Sequence, residues 1–357
     1  MNVEVLVAGG GPAGLAVAIE ARALGLEVVV CERAPAPYDK ACGEGVMPSG
    51  VRWLASRGVL DAIAPAECRW LEGVRYRQQG TRVLQARFHA GLGLGVRRTV
   101  LVSAMRRRFE ALGGSLVGGS VRLVSNGPQE VSAECDGRPL TARILVAADG
   151  LSSPLRTALG IRRRVGSTRI GLRRHYAFES PPFVEVDWVD GAEAYVTPVG
   201  RGLSCVALLF EPGAARDGSF EGRLAAFPRL AARLATTAPH SALRGAGPMS
   251  QAVERATSGR IALVGDAAGS VDAIAGRGLS LAFASAELLA KRLPEALGAG
   301  APALEGYACD HAKLFRSEAR RAGPLVWLAA HPQLRRPALQ LCERWPPLFD
   351  RALRLLG

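Results

Sequence analysis

Val3-Glu-Val-Leu-Val-Ala8, then Gly9-Gly-Gly11-Pro12-Ala13-Gly14, then, after a helix-forming run, Val28-Val-Val30-Cys31-Glu32-Arg33: on this stretch the fold turns. The first apolar run reads as a short buried strand, residues 15–24 favour helix, and the β-branched run reads as a second strand. Gly9 allows the tight turn, Gly11 lets backbone amides approach a pyrophosphate, and Gly14 lets the helix pack close to the strand. The helix start then faces the phosphates with its free N–H groups and positive dipole end. Glu32 falls where a carboxylate can bind both ribose hydroxyls of an adenosine half, with Arg33 beside it. A glycine turn without a ligand would leave the spacing of Glu32 unexplained. The segment therefore reads as a Rossmann-type dinucleotide site.

Around it, 357 residues can bury a large core as one large or two interleaved domains. The composition, 48% hydrophobic and 22% charged, is that of an ordinary globular protein. No uninterrupted apolar run reaches the roughly 18 residues of a transmembrane helix. The apolar start has no basic residue before it and leads straight into the glycine turn, so it is not read as a signal peptide. The net charge of +13 suggests nucleic acid, but only Lys40, Lys291 and Lys313 are lysines. The arginines are scattered, with short clusters at 106–108, 162–164 and 320–321, and no basic stripe with interleaved aromatics appears. No nucleic-acid partner is expected, while anionic cofactors, acids or a membrane surface remain compatible with the charge. Seven cysteines, odd in number and without a CxxC pair, argue against a disulfide framework or a metal site and for a reducing cytoplasm.

Two later segments separate one dinucleotide from another. Ile144-Leu-Val-Ala-Ala-Asp149-Gly150-Leu-Ser-Ser153-Pro-Leu-Arg156 is an apolar strand running into a turn and a helix start. Gly259-Arg-Ile-Ala-Leu-Val264-Gly265-Asp266-Ala-Ala-Gly269 continues through Asp272 to Gly276-Arg-Gly278-Leu279. They resemble the Asp-Gly and Gly-Asp motifs of flavoprotein monooxygenases of the p-hydroxybenzoate-hydroxylase type. The resemblance implies non-covalent FAD, with Asp149 and Gly150 near its pyrophosphate, Gly265 and Asp266 at the ribityl chain, and the amides of Gly276, Gly278 and Leu279 at the isoalloxazine ring. Such donors would stabilise the charge of reduced flavin. It also places an arginine beside FAD at the start of the helix after Val96, for which Arg98 is the choice and Arg97 the fallback.

Asp39-Lys40-Ala-Cys42-Gly43-Glu44-Gly45-Val-Met-Pro48 resembles a segment of geranylgeranyl-reductase-like flavoproteins, in which a Cys-Gly loop lies near the flavin. Gly269 fits that branch too; Arg277, where an acidic residue is common, and Ala273, where proline is common, depart from it. Over nearly the whole chain the sequence is similar to short bacterial flavoproteins described as monooxygenases, often encoded near type III polyketide synthases.

The implied fold class is α/β: a Rossmann-type FAD-binding domain (1–70, 96–160 and 250–300) interleaved with an α+β substrate domain (71–95 and 161–249). That second domain should carry an antiparallel sheet, from strand-like runs at 74–76, 169–172, 175–178, 184–188, 193–196 and 203–210. His175, Tyr176 and Tyr195 are the side chains suited to touch substrate, although a strand His or Tyr is often only a packing residue. His175, Tyr195 and Cys42 are the catalytic candidates, His175 as the group assisting phenol deprotonation. Residues 301–357 read as helices broken into short pieces by Pro324, Pro332, Pro337, Pro346 and Pro347, packed on the FAD domain or, alternatively, resting on lipid.

The expected activity is a monooxygenase that uses transiently bound NAD(P)H and O2 on a hydrophobic aromatic or polyketide-derived substrate. A prenyl double-bond reductase using the same FAD is the alternative, and a non-catalytic flavin-binding redox partner the third reading. The Trp-x-Trp-x-Ile-Pro motif of halogenases is missing.

Overall fold

The computed structural model describes residues 2–36, 38–213, 219–299 and 301–356. The opening strand, Asn2–Ala8, lies inside a sheet ordered Thr257–Ser258, Ile261–Leu263, Arg138–Ala147, Asn2–Ala8, Val28–Glu32, Ser115–Gly118. From Ile261–Leu263 to Ser115–Gly118 every neighbouring pair is parallel. Val5, Leu6, Val7, Ile144, Leu145 and Val146 are wholly buried on both faces, which is why these strands read as continuous apolar runs without alternation. Helix Pro12–Ala23 covers one side and packs on helices Arg98–Ala111 and Gly278–Ala290. The chain passes from Asn2–Ala8 to Val28–Glu32 on one side, while Arg138–Ala147 takes the other. Strand order thus reverses beside the glycine turn and a crevice opens there.

The second large sheet has seven strands, ordered Arg244–Ala246, Ile170–Tyr176, Leu203–Phe210, Ala192–Gly200, Phe183–Val189, Gly73–Gln78, Leu84–Arg87. The antiparallel expectation needs one correction. Phe183–Val189 runs parallel to Gly73–Gln78, because these strands come from distant parts of the chain and no hairpin dictates their direction. The runs at 169–172 and 175–178 form a single strand, Ile170–Tyr176.

The proline-broken tail is also corrected. Ala301–Ala330 is one helix that runs through Pro324, with Ala322 and Leu325 on either side packed in a core cluster that holds its course. Pro337 likewise lies inside helix Pro332–Arg344. Pro332 and Pro346 open helices, where the missing N–H would be unpaired anyway. Among the described residues no helix is long and apolar enough to cross a membrane.

His311, on the long helix, is buried between Tyr307 and Phe315, with ring centroids 5.7 and 6.3 Å away. Burial pushes its pKa from the ordinary 6.5 down to about 4. The unfolded chain therefore takes up this proton first, and stability is lost as pH falls from about 6.5 to about 4, by about 3 kcal/mol. Urea midpoints measured across that range should fall more steeply for the natural protein than for His311→Phe; parallel curves would disprove the assignment.

Candidate flavin site

A cavity of about 350 Å³ opens at the ends of the parallel strands, lined there by Ala8, Cys31, Glu32, Ala148 and Gly265. Backbone sterics build its first wall. Gly9 has φ +114°, and a Cβ there would lie 2.4 Å from the Ala148 carbonyl oxygen. At Gly14 a Cβ would lie 1.9 Å from the Gly9 carbonyl oxygen, so this glycine sets the helix-to-strand distance from behind the lining. Gly11 meets nothing within 4 Å, and its open side is the cavity. Pro12 and Ala13 line the wall at the helix start. Glu32 is fixed at the end of its strand: Oε2 accepts from Gly10 N (2.7 Å) and Oε1 from Ala34 N (2.8 Å). Arg33 lines the same end.

The Asp-Gly and Gly-Asp motifs meet across the crevice. Asp149 accepts from Ser153 Oγ (2.5 Å) and Leu155 N (3.0 Å), starting helix Pro154–Ala158, while Gly150 takes φ +87°. The Arg156 guanidinium donates to the Ala267 and Leu151 carbonyls (3.0 and 2.8 Å). Buried Gln251 joins the same two segments through the Leu151 and Asp266 carbonyls (3.0 and 2.9 Å). Gln251 stood in no motif, and only the fold reveals it. The Asp266 carboxylate is half-exposed in the cavity, 3.9 Å from Lys40 Nζ. Lys40 and Tyr38, both in the lining, were missed as site residues; the rarity of lysine was the available signal. Gly276, at φ +62°, ends the turn Ala273–Ala275, and helix Gly278–Ala290 starts with Gly278 and Leu279 at the cavity. Arg277 does not leave a free charge there. Its guanidinium pairs with Glu318 of the long helix, Nη2 to Oε1 at 3.0 Å, and both side chains are buried.

The Cys42 loop forms the next wall. Cys42, Gly43, Glu44 and Arg98 all line the cavity, and Cys42 Sγ accepts from Glu44 N at 3.3 Å. Glu44 adopts φ +59°, a strained value for a side chain with a Cβ. Its Oε1 accepts from Arg98 N (2.9 Å), and its Oε2 lies 2.6 Å from His175 Nε2. Arg173, also buried, donates from Nη2 to Asp39 Oδ1 (2.5 Å) and the Lys40 carbonyl (2.8 Å) and lies 3.7 Å from Glu44 Oε1. Glu44, His175 and Cys205 bring donor atoms within 4.8 Å of one another, but the carboxylate is already engaged on both oxygens. The group is a hydrogen-bonded clamp that fastens the loop to the second sheet.

His175 is therefore corrected as a group at the substrate. It is wholly buried, lies outside the cavity lining, and its Nδ1 faces Ser241 Oγ at 2.8 Å. Tyr176 packs in a separate core with Phe220. Tyr195 does line the cavity, with its hydroxyl donating to Glu193. Burial and the neighbouring Glu193 raise the phenol well above its usual range, and burial raises the Glu193 carboxyl despite Arg169 beside it. Arg169 joins Glu193 Oε1 (2.7 Å) to Asp272 Oδ1 (3.1 Å), so the sheet is tied to the loop that carries Gly276. The remaining wall is apolar, with Val74, Tyr76, Val184, Val186, Ile274 and Leu325 among its members.

These residues fit FAD by their own geometry. An open glycine face borders a helix start, a fixed carboxylate stands at the second strand, and Arg98 Nε is buried without a partner. A parallel sheet reversing order at a glycine turn, with a carboxylate-bearing glycine loop at the far end of the crevice, defines an FAD-dependent oxidoreductase. Residues 2–206 match the FAD binding domain family, and the chain belongs to it.

Among curated relatives, the menaquinone reductase of Mycolicibacterium smegmatis is 28% identical over 323 residues, covering 81% of this chain and 76% of that one. The aurachin C monooxygenase/isomerase of Stigmatella aurantiaca is 27% identical over 328 residues, covering 82% and 81%. The solved structure of the flavin-dependent brominase Bmp2 superposes with TM-score 0.85 at 18% identity, covering 100% and 94%, a likeness of fold alone.

Proposed function

We propose that the protein is an FAD-dependent monooxygenase that oxygenates a hydrophobic aromatic or polyketide-type secondary metabolite, with NAD(P)H as transient reductant. The observation that carries this reading is the cavity, which passes from glycine amides into an apolar wall bearing one hydrogen-bonded phenol, Tyr195. FAD, when bound and reduced, supplies the activation of O2. Glu32 would hold the adenosine ribose, Gly11 and the helix start the pyrophosphate, Asp266 the ribityl chain, and Gly276 to Leu279 the ring. The apolar wall binds the substrate and excludes water. Tyr195 Oη orients a polar substrate atom and keeps its own proton toward Glu193. The relative named as a monooxygenase, matched over 82% of this chain, supports the reading.

The test is to incubate FAD-loaded protein with NAD(P)H, O2 and a panel of alkylresorcinols, quinolones and prenylated lipids, and weigh the products. A gain of one oxygen atom that depends on O2 supports the reading; NAD(P)H consumption with no oxygenated product from any candidate counts against it. Tyr195→Phe should keep FAD and lower turnover about a hundredfold; unchanged turnover would remove Tyr195 from the chemistry.

One observation favours a second reading, reduction of prenyl double bonds. Cys42 stands in the cavity lining, and a relative named digeranylgeranylglycerophospholipid reductase is matched over 83% of the chain. Two hydrogens gained under anaerobic conditions, and lost in Cys42→Ser, would decide for it.

A further inference from the structure

Helix Pro332–Arg344 presents two faces, one of which packs behind the cavity wall. Arg335, Leu339 and Cys342, at i, i+4 and i+7, point inward. Arg335 is buried, bonding Gln78 Oε1 (2.9 Å) and Asp190 Oδ1 (3.0 Å), and its guanidinium lies 5.4 Å from the Trp188 ring centroid. Leu339 belongs to the cluster of Val74, Tyr76, Val186 and Ile274, which are cavity-lining residues. A second row, Leu334, Pro337, Leu341 and, one position past the helix, Trp345, recurs at three- and four-residue spacing on another face. This row is open: Leu334 is 49% exposed, Leu341 52% and Trp345 63%, and Trp327 at the end of the preceding helix is 51% exposed. Single exposed apolar residues are commonplace, but a helical row ending in tryptophan is an interaction face.

Charge selects the partner. Between residues 313 and 354 nine basic side chains stand against three acidic ones. Arg344, one position before Trp345, and Arg351 and Arg354 of the following helix are exposed. A two-fold pairing of this face with a second copy would bring two like-charged arginine clusters together. An anionic bilayer accepts both features, taking leucine and tryptophan into the headgroup boundary and the arginines onto lipid phosphates. The inner face of the same helix backs the substrate end, and Leu325, two residues before Trp327, lines the cavity itself.

We propose that helix Pro332–Arg344 and the start of helix Pro346–Leu356 seat the protein on an anionic lipid surface, bringing the substrate end of the cavity beside the bilayer. This holds whichever reaction the flavin performs. The experiment is co-sedimentation of the FAD-loaded full chain with vesicles of phosphatidylcholine and with vesicles of equal parts phosphatidylcholine and phosphatidylglycerol. The natural protein should pellet with the anionic vesicles. The double variant L341S/W345S should bind them at least about tenfold more weakly, with FAD content and thermal transition unchanged because both residues are exposed. R344Q/R351Q should weaken anionic binding in the same assay. A natural protein that stays in the supernatant with both vesicles overturns the proposal, as does a double variant that binds undiminished. A concentration-dependent dimer seen by light scattering, and abolished by the same variant, would instead assign the face to a second copy.

Discussion

Gly14→Ala is expected to leave the protein insoluble, whereas Gly11→Ala is expected to fold normally and hold FAD at least about tenfold more weakly, a loss of about 1.4 kcal/mol. The two glycines are three residues apart and differ in what their missing side chains face. A Cβ on Gly14 would stand 1.9 Å from the Gly9 carbonyl oxygen, backbone against backbone, so helix Pro12–Ala23 must leave its strand. Overpacking of this kind costs about 3 kcal/mol or more. Gly11 sits at φ −73° and ψ 176°, which alanine adopts freely, and its Cβ would enter open space. That space is where the pyrophosphate would approach the amides, so the loss should appear in cofactor affinity alone. Soluble yield, thermal transition without cofactor, and FAD fluorescence titration measure the three quantities. Equal behaviour of the two variants would contradict the division of roles.

Glu44→Ala should have the next largest effect, about 3–5 kcal/mol of stability together with release of FAD at lower temperature. The substitution strips the acceptor from Arg98 N and leaves Arg173 and His175 buried beside a hole. Glu44→Gln keeps the shape and one acceptor oxygen, and should lose less. Glu44→Gly is the control for backbone strain, since φ +59° suits glycine. If the glycine variant matches the natural protein in urea, the carboxylate clamp does no more than offset the strain of the left-handed backbone. A loss in glycine similar to that in alanine assigns the energy to the carboxylate.

Much of the flavin end was legible in the sequence because its demands are local. A strand, a turn that only glycine can make, and a helix start follow one another within a few residues. Their order fixes the glycine turn at the strand end, and the crevice opens there once Arg138–Ala147 takes the other side. The same local demands hold for Gly276 and helix Gly278–Ala290. Pro324 misled for the converse reason: propensity speaks for an isolated helix, and packing of Ala322 and Leu325 outweighs it.

The strand carrying His175 shows where a single sequence stops. Arg173 and His175, two residues apart, share one face of Ile170–Tyr176, and register sets His175 opposite Cys205. That face meets the Cys42 loop, whose Glu44 lies 131 residues away in the chain. Tyr195, on the next strand but one, shares that face, since Ala207 lies opposite both Arg173 and Tyr195, but it meets the cavity farther across the sheet. Alternation separates His175 from Tyr176, which packs in the other core, but does not say which part of a face meets the cavity. The sequence by itself determined the Rossmann turn and the FAD-dependent class, because backbone sterics and helix polarity act over short distances. Only the tertiary structure decided that His175 clamps a loop, that Tyr195 meets the cavity, and that Arg277 is neutralised by Glu318, because each depends on a partner brought near by sheet register and helix packing.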